Sequence, residues 1–285
     1  MKEITSRANP SVKLAIKLRT RRGRDDNNAF LVEGGILIEE AAGSGADIAE
    51  IFVREGSDAD ASGYEVNGGV CGGHAVRVSS LSGDLFDEIT DTVTPHDIIA
   101  IVRKPGYKTL ESELSGVTGR GETGTGQGDT KRTLSVIVLD RLQDPGNVGT
   151  VLRSADAAGF DAVIAVKGTA DVYAPKVVRA AAGAIFRIPV LQAQDADEVI
   201  AALRAASVKL CALHMEGADF GEAELSGRTA LVVGSEGAGV SKDFLLGAQM
   251  RVSIPMREGA DSLNAGVAAS IVMFEKIRQE KLRSK

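Results

Sequence analysis

Apolar and polar residues alternate along the chain with two periods, one typical of helices and the other typical of strands. In the first 105 residues, helices are predicted over 11–22, 35–45 and 82–90, and strands over 29–34, 48–55, 74–80 and 96–105. Such alternation over roughly 100 residues indicates a layered α/β sandwich that forms a domain of its own.

A second set of elements begins near residue 133, and its strands are almost continuously apolar. Strands are predicted over 133–140, 162–166, 186–190, 209–215, 229–236 and 250–256, and helices over 147–158, 174–183, 195–207 and 262–285. Strands that are apolar on both faces predict a mostly parallel sheet with helices on both sides. In such sheets, ligands bind beyond the carboxyl ends of the strands.

Residues 111–132 separate these two regions and are rich in Gly, Thr and Ser. This composition has little to bury and predicts a flexible linker, so the domains are expected at 1–110 and 133–285. The linker contains GRGETG, a formal match to the dinucleotide-binding pattern. No predicted strand precedes the match and no predicted helix follows it, so it does not indicate a nucleotide site.

Composition narrows the class of protein. The 285 residues are 44% hydrophobic, enough for a sizeable core, yet no apolar run approaches the roughly 20 residues of a membrane span. The beginning of the chain also lacks the apolar segment of a secretory signal. Two cysteines are too few for a disulfide framework, so a reducing, cytoplasmic setting is expected. The three histidines show no ligand spacing, and no metal is expected.

Positive charge is concentrated at the beginning of the chain, although the net charge is −6. Residues 1–24 hold eight basic side chains and one acidic side chain, a formal charge of +7, so the other 261 residues carry −13. The segment is interpreted either as a solvated amphipathic helix or as a surface for a phosphate backbone. On the second interpretation, the candidate RNA-binding residues are Lys13, Lys17, Arg19, Arg21, Arg22 and Arg24.

Three polar, glycine-bearing segments each follow an apolar strand and open a helix. They are DRLQDPGNVGTVLR at 140–153, VVGSEGAGVSKD at 232–243 and IPMREGADSLNAG at 254–266. If the sheet is parallel, the three segments meet at the edge where a ligand would bind. The second segment does not match the phosphate-binding P-loop pattern, so that class is not indicated.

Each candidate residue in these segments also has a purely structural interpretation. Asn147 is a plausible helix N-cap, and Arg153, which lies off the apolar stripe of its helix, could simply be solvated. Glu236 would suit the first turn of a helix. Ser262 could cap the final helix, with Leu263 in the core. The residues alone leave these alternatives open.

The three segments, in this order, resemble the three motifs of the SpoU, or TrmH-type, family of RNA methyltransferases in the SPOUT superfamily. The matching stretches are LQDPGNVGTVLRSADAAGF, LVVGSEGAGVS and IPMREGADSLNAGVAASIVMFE. The resemblance covers residues 133–285 and implies methyl transfer from S-adenosylmethionine to a ribose 2′-hydroxyl of RNA. Residues 1–105 resemble, more loosely, a substrate-binding domain that is similar to ribosomal proteins that bind kinked RNA.

By position, the resemblance implies a catalytic set and a cofactor-binding set. The catalytic set is Asn147, Arg153, Glu236, Ser262 and Asn264, and the cofactor-binding set is Leu213, His214, Gly234, Ile254 and Leu263. The family assigns Arg153 to the 2′-hydroxyl and its neighbouring phosphate. The sequence departs from the family pattern at Gly266, where many relatives have Ser, and at the charged pair Arg257-Glu258.

The resemblance further implies a deep trefoil knot in the C-terminal sheet and a homodimer through that domain, with the final helix near the interface. The RNA is expected to be ribosomal, and transfer RNA is the alternative. The sequence argues against two other classes of protein. A non-catalytic RNA-binding protein is disfavoured because all five polar motif residues are present. A nucleotide-dependent oxidoreductase is disfavoured because the first strand of the second region lacks the dinucleotide fingerprint.

Overall fold

The computed structural model describes residues 2–57, 70–71, 74–92, 96–106, 109–117, 133–257, 259 and 262–283. The chain forms two compact units. The first comprises Met1–Gly106 and Tyr173–Arg187, and the second comprises Tyr107–Val172 and Ile188–Lys285. In the described part of the chain, no helix combines the length and the apolar character needed to cross a bilayer.

The first unit contains a mixed five-stranded sheet. Its elements up to residue 106 are β1 (Lys2–Ile4), α1 (Pro10–Leu18), α2 (Arg21–Asn27), β2 (Ala29–Glu33), α3 (Gly35–Gly43), β3 (Ile48–Arg54), β4 (Val70–Cys71), β5 (His74–Ala75), β6 (Arg77–Leu81), α4 (Gly83–Ile89) and β7 (Ile98–Arg103). The strand order is β1-β6-β3-β7-β2, in which β7 runs antiparallel to both of its neighbours. The predicted α/β class of this region is confirmed, and strand β1 was not predicted.

The predicted helix over 11–22 is broken into α1 and α2. The Oγ1 of Thr20 accepts a hydrogen bond from the amide of Gly23 at 3.1 Å, which starts a new helix. A Cβ on Gly23 would lie 1.9 Å from the carbonyl oxygen of Lys17. Glycine therefore lets α2 turn tightly against the end of α1, and the apolar period alone did not show this break.

From residue 107 onward the chain contains helices and parallel strands. The elements are α5 (Leu110–Val117), β8 (Ser135–Asp140), α6 (Pro145–Ala157), β9 (Ala162–Val166), α7 (Pro175–Ala181), β10 (Val190–Ala193), α8 (Ala196–Ala205), β11 (Lys209–Asp219), β12 (Thr229–Gly234), α9 (Lys242–Gly247), β13 (Met250–Ser253) and α10 (Ala265–Arg283).

The second unit is built on a six-stranded sheet in the order β10-β9-β8-β12-β11-β13. Every pairing in it is parallel. All residues of the three strands β8, β9 and β12 are buried, as expected for strands covered on both faces. The prediction of a mostly parallel sheet is therefore confirmed.

The segment predicted as a linker begins with a helix. In α5, Leu110 and Leu114 are buried in the core of the second unit, with Leu114 fully inaccessible to solvent. Residues 111–117 thus differ from the predicted linker because two leucines four residues apart present an apolar face. The rest of that segment, 118–132, lies outside the described residues.

Residues 173–187 interrupt the second unit in sequence but pack in the core of the first. The ring of Tyr173 lies 4.8 Å from that of Phe30, and Arg187 forms an ion pair with Glu40. A 3₁₀ turn occupies Ala184–Phe186, and β10 begins only at Val190. The strand predicted over 186–190 is therefore wrong.

Candidate active site

The strands that precede the three motif segments run parallel, so their carboxyl ends lie at one edge of the sheet. β8 pairs with β12, with Asp140 opposite Gly234, and β11 lies between β12 and β13. The first and second segments therefore leave the sheet from adjacent strands. The third segment leaves it from β13, two strands away from β12. The prediction of a shared edge is confirmed.

Glu236, in the second segment, is bound by donors from the first. Its Oε1 accepts a hydrogen bond from Nδ2 of Asn147 at 2.8 Å. The backbone amides of Gln143 and Asp144 also donate to its two carboxylate oxygens, each at 3.3 Å. Glu236 thus lies against the first segment, and it is not in the first turn of a helix, because α9 begins only at Lys242.

These donors determine the ionisation of Glu236. Partial burial by itself opposes the charged form, but the hydrogen bonds from Asn147 and from the backbone amides outweigh it. The pKa of Glu236 is therefore lowered from its ordinary value. A carboxylate at this edge is held ionised and orients the amide of Asn147.

Asn147 is not the N-cap of α6, contrary to its structural interpretation. Asp144 is the cap, and its Oδ1 accepts a hydrogen bond from the amide of Asn147 at 2.9 Å. Asn147 itself is buried, with 7% of its surface exposed. The sequence held the signal for this cap, because Pro145 suits the first position of a helix and Asp suits the position before it.

Arg153 projects from α6 on the side away from the core. The predicted apolar stripe of this helix is confirmed, since its members are buried, namely Val148, Val151, Leu152 and Ala155. Arg153 is exposed, and within the described residues it makes no hydrogen bond or ion pair. The structure therefore brings Asn147 and Glu236 into contact but leaves the guanidinium of Arg153 solvated.

The third segment joins the first through the start of α10. The Oδ1 of Asn264 accepts a hydrogen bond from the amide of Val267 at 3.2 Å, so Asn264 caps this helix. Ser262 is not the cap, and Leu263 is 40% exposed and outside the core, so both structural interpretations are wrong. A Cβ on Gly266 would lie 3.2 Å from Cβ and Cγ2 of Thr150 on α6. Glycine at this position permits the close approach of the two helices.

A cavity of about 450 Å³ opens beside the third segment, at the ends of β11 and β13. Its walls include four of the predicted cofactor residues and one predicted catalytic residue, namely Leu213, His214, Ile254, Leu263 and Ser262. Further lining residues that the sequence interpretation missed are Met215, Val252, Ser253, Pro255, Met256, Gly259 and Ala268. Arg257, noted in the sequence only as a departure from the family, also lines the cavity. A volume of this size suits a small organic ligand.

Gly234, a predicted cofactor-binding residue, does not line the described cavity, and its backbone is tightly packed. A Cβ there would lie 2.0 Å from the carbonyl carbon of Gly239 and 2.1 Å from the amide nitrogen of Val240. The amide of Gly239 donates to the carbonyl of Ser235 at 2.8 Å, which closes the loop. Only glycine allows this segment to fold back over the end of β12.

The candidate RNA-binding residues of the first unit differ in their surroundings. Lys13 and Lys17 are exposed and line an open groove together with Arg7, Ala8 and Ile16. Arg21 and Arg22 lie within ion-pair distance of Asp25 and Asp26, four residues further along α2. Arg19 donates to the backbone carbonyl of Glu88 at 2.7 Å.

Arg24 does not belong to this basic surface. It is only 4% exposed, and its guanidinium donates to the carbonyl oxygens of Leu18 and Arg19 at 2.8 and 3.0 Å. These carbonyls end α1 and would otherwise lack partners. Its assignment as an RNA-binding residue is therefore wrong.

Comparison with known proteins links this geometry to one family. The model of the SpoU rRNA methylase family matches residues 135–274, and the model of the MRM3-like substrate-binding domain matches residues 9–100. The chain is 35% identical over 275 residues to 23S rRNA (guanosine(2553)-2′-O)-methyltransferase RlmP of Bacillus subtilis. That match covers 96% of this chain and 98% of the relative.

Solved structures give the same result. The AdoMet-bound rRNA methyltransferase from Sinorhizobium meliloti is 30% identical, with a TM-score of 0.79 and 97% of both chains covered. The SpoU methyltransferase AviRb from Streptomyces viridochromogenes in complex with AdoMet is 26% identical, with a TM-score of 0.79 over 95% of this chain and 98% of AviRb. The chain therefore belongs to the SpoU rRNA methylase family and carries an MRM3-like substrate-binding domain ahead of the family domain.

Proposed function

We propose that the chain transfers a methyl group from S-adenosylmethionine to a ribose 2′-hydroxyl of ribosomal RNA. The observation that carries this proposal is the hydrogen bond between Asn147 and Glu236, at the sheet edge that also holds the cavity. Similarity to the Bacillus subtilis enzyme along nearly the whole chain supports it, because that enzyme is named for 2′-O-methylation of 23S rRNA.

The residues around the cavity fit S-adenosylmethionine. Leu213, Ile254 and Leu263 give it apolar walls, and His214 and Ser262 give it hydrogen-bonding groups. Pockets with mainly apolar walls and a few polar groups suit cofactors of this size. When bound, the sulfonium supplies an electrophilic methyl group, while the protein aligns the acceptor oxygen with it.

Arg153 would act on the RNA. A ribose 2′-hydroxyl is a weak acid, so its reaction needs a group that stabilises the developing alkoxide. A guanidinium in a protein keeps its proton, and it binds phosphate through two parallel hydrogen bonds. We therefore assign Arg153 to the phosphate beside the target ribose and to the alkoxide, and not to proton abstraction.

Asn147 and Glu236 would set the orientation of the acceptor. Because Nδ2 of Asn147 donates to Glu236, its carboxamide oxygen faces away from the carboxylate and can accept a hydrogen bond. That oxygen would accept from Arg153 or from the 2′-hydroxyl. Asn264 would hold the third segment in register through its helix cap, and Ser262 would contact the bound ligands from the cavity wall.

The first unit would bind the RNA backbone. Its groove beside Lys13 and Lys17 carries positive charge on an exposed surface, which suits phosphate contacts. The match to an MRM3-like substrate-binding domain supports this role. We also infer its likeness to ribosomal proteins that bind kinked RNA.

Three finer features belong to the same proposal. The chain would carry a deep trefoil knot, in keeping with its membership of the SpoU rRNA methylase family. It would act in the cytoplasm.

The chain would form a homodimer through α10, whose Val267 and Phe274 are 45% and 50% exposed. Phe274→Asp should then yield monomers in sedimentation velocity, and a wild type that sediments as a monomer at every concentration would exclude the dimer.

The function is tested with purified protein, labelled S-adenosylmethionine and in vitro transcripts of 23S rRNA, 16S rRNA and tRNA. We expect methylation of 23S rRNA at one ribose, mapped by resistance of the adjacent bond to alkaline hydrolysis. The same methyl group should be missing from the RNA of a deletion strain. Base methylation, or transfer only to tRNA, would contradict the proposal.

A further inference from the structure

Arg141, the first residue after β8, occupies an uncommon backbone conformation. Its φ is 59°, in the left-handed region that favours glycine and asparagine. Backbone strain of this kind, at a residue with a large side chain, persists only where the surrounding structure enforces it. Such residues are concentrated at functional sites. Arg141 lies six residues before Asn147, in the loop that opens the first motif.

A buried carboxylate holds the side chain of Arg141 in place. Asp140 is 1% exposed, and its Oδ1 accepts a hydrogen bond from Nε of Arg141 at 2.9 Å. The other oxygen of Asp140 accepts from the amide of Ser241 at 2.6 Å. This bond uses Nε, and in the described part of the chain the two terminal nitrogens of Arg141 make no hydrogen bond. They remain available for a ligand, and 43% of the side chain is exposed.

A second cation lies on the neighbouring loop. Gly168, just after β9, has a φ of 101°, and a Cβ there would lie 3.0 Å from Cγ of Arg141, so the loop packs directly on the arginine stem. Thr169 Oγ1 donates to the carbonyl of Leu139 at 2.9 Å and fixes the loop to the end of β8. Lys167, next to Gly168, is exposed.

We propose that Arg141 and Lys167 form a phosphate-binding site on the catalytic unit, and that its ligand is the backbone of the substrate RNA. The inference rests on the proposed function and adds to it a contact separate from Arg153. A guanidinium held through Nε offers two donors to one phosphate, and a neighbouring ammonium adds a point charge. The strained backbone aims this arginine outward at the carboxyl edge of the sheet, where the RNA must approach the cavity.

The test measures the affinity of unmodified 23S rRNA transcript across a salt series. Arg141→Asn suits this test, because asparagine tolerates the left-handed conformation and removes the charge. We expect its Kd at 100 mM salt to rise about five- to tenfold and the slope of log Kd against log salt to fall by about one. Lys167→Ala should show the same changes, and in the double variant the slope of log Kd against log salt should fall by about two. Lys209→Ala, at the opposite end of β11, is the matched control and should bind like wild type.

Two further measurements separate this role from a structural one. Arg141→Asn and Arg141→Gly should melt below the wild-type temperature, because both leave the buried carboxylate of Asp140 without its charged partner, whereas Lys167→Ala should melt like wild type. S-adenosylhomocysteine should bind all variants equally.

If Arg141→Asn melts lower and binds RNA like wild type, Arg141 only neutralises Asp140 and the inference is wrong. If the arginine variants fail to fold, the test rests on Lys167→Ala alone. A wild-type salt dependence of RNA binding in that variant would then contradict the proposed phosphate site. A wild type that binds no RNA would instead contradict the proposed function.

Discussion

At the scale of single residues, Glu236 is exposed but stays ionised because three donors from a segment 89 to 93 positions earlier bind its carboxylate. The cluster fixes the amide of Asn147, and the pKa of Glu236 is lowered although partial burial opposes this. A group whose pKa is lowered by folding stabilises the native state above its unfolded pKa, near 4.3 for a glutamate. This contribution is lost as the pH falls through the lower native pKa.

Glu236→Gln should therefore destabilise the protein at pH 7 but not in acid. The expected loss is at most about 1 kcal/mol, because solvent screens part of the interaction. The difference from wild type should shrink as the pH falls below about 4. Urea unfolding at several pH values checks this, with the exposed Glu222→Gln as control. If the difference in free energy of unfolding between variant and wild type is the same at every pH, the ionisation of Glu236 does not contribute to stability.

Arg153→Ala should remove activity without removing structure. Arg153 is exposed and off the apolar stripe, so the free energy of unfolding should change by no more than about 0.5 kcal/mol. Methyl transfer should fall about a hundredfold or more, as for the loss of one donor to a developing oxyanion. Arg153→Lys should not restore it, because an ammonium lacks the planar fork.

Single-turnover transfer, melting curves and cofactor titrations on the same samples measure these effects. Arg204→Ala, on an exposed position of α8, is the matched control and should retain wild-type rates. If Arg153→Ala transfers methyl groups nearly as fast as wild type, Arg153 is an ordinary surface residue.

At the scale of elements, the site depends on glycines that let backbones approach each other. Gly266 allows α10 to approach Thr150 on α6, and the hydroxyls of Ser154 and Ser270 meet at 2.7 Å further along the same pair of helices. Gly234 lets the second segment cross the end of β12. The positions of Glu236 and Asn264 therefore also depend on close backbone contacts at these two glycines.

Gly234→Ala should be severe, whereas Gly237→Ala in the same loop should be mild. The added methyl at Gly234 meets backbone atoms that cannot rotate away, so we expect a loss of about 3 kcal/mol or more. A Cβ at Gly237 has no atom within 4 Å, and its φ is not in the left-handed region. Denaturant unfolding compares the two, and similar stabilities would show that the loop can move aside.

At the scale of the whole molecule, the two units are not separated by one cut in the sequence. Residues 173–187 belong to the first unit, and Tyr173, Val177 and Val178 in this segment are almost fully buried. Deleting residues 1–106 would uncover these apolar side chains and would destabilise what remains. RNA binding by the first unit is therefore better tested with point variants in the full chain.

Lys13→Ala combined with Lys17→Ala should weaken RNA binding in a salt-dependent way. Each lysine that contacts a phosphate releases about one counterion, so the salt slope should fall by about two. Arg24→Ala should act differently, because its buried guanidinium caps α1 and its loss should lower the melting temperature. Filter binding over a salt series checks this, and an unchanged slope in the lysine pair would place the RNA elsewhere.

The sequence allowed the α/β class, the parallel sheet and the shared edge of the three segments to be predicted, because periodicity and strand composition follow directly from burial. The family motifs also identified five of the thirteen residues that line the cavity. Periodicity could not predict the break after α1, which depends on the side chain of Thr20 and on the missing Cβ of Gly23, or the helix at 110–117, which depends on contacts with distant core residues. Arg24 looked like one more surface cation, because charge patterning does not show that its guanidinium binds the carbonyl groups at the end of α1.

The sequence by itself determined which residue types stand at the edge of the sheet and in which order. Only the tertiary structure decided which of them meet, namely Glu236 with Asn147, and residues 173–187 with the first unit. The physical reason is that local patterns record burial and backbone preference, whereas a hydrogen bond across 89 residues requires the whole sheet to be assembled first.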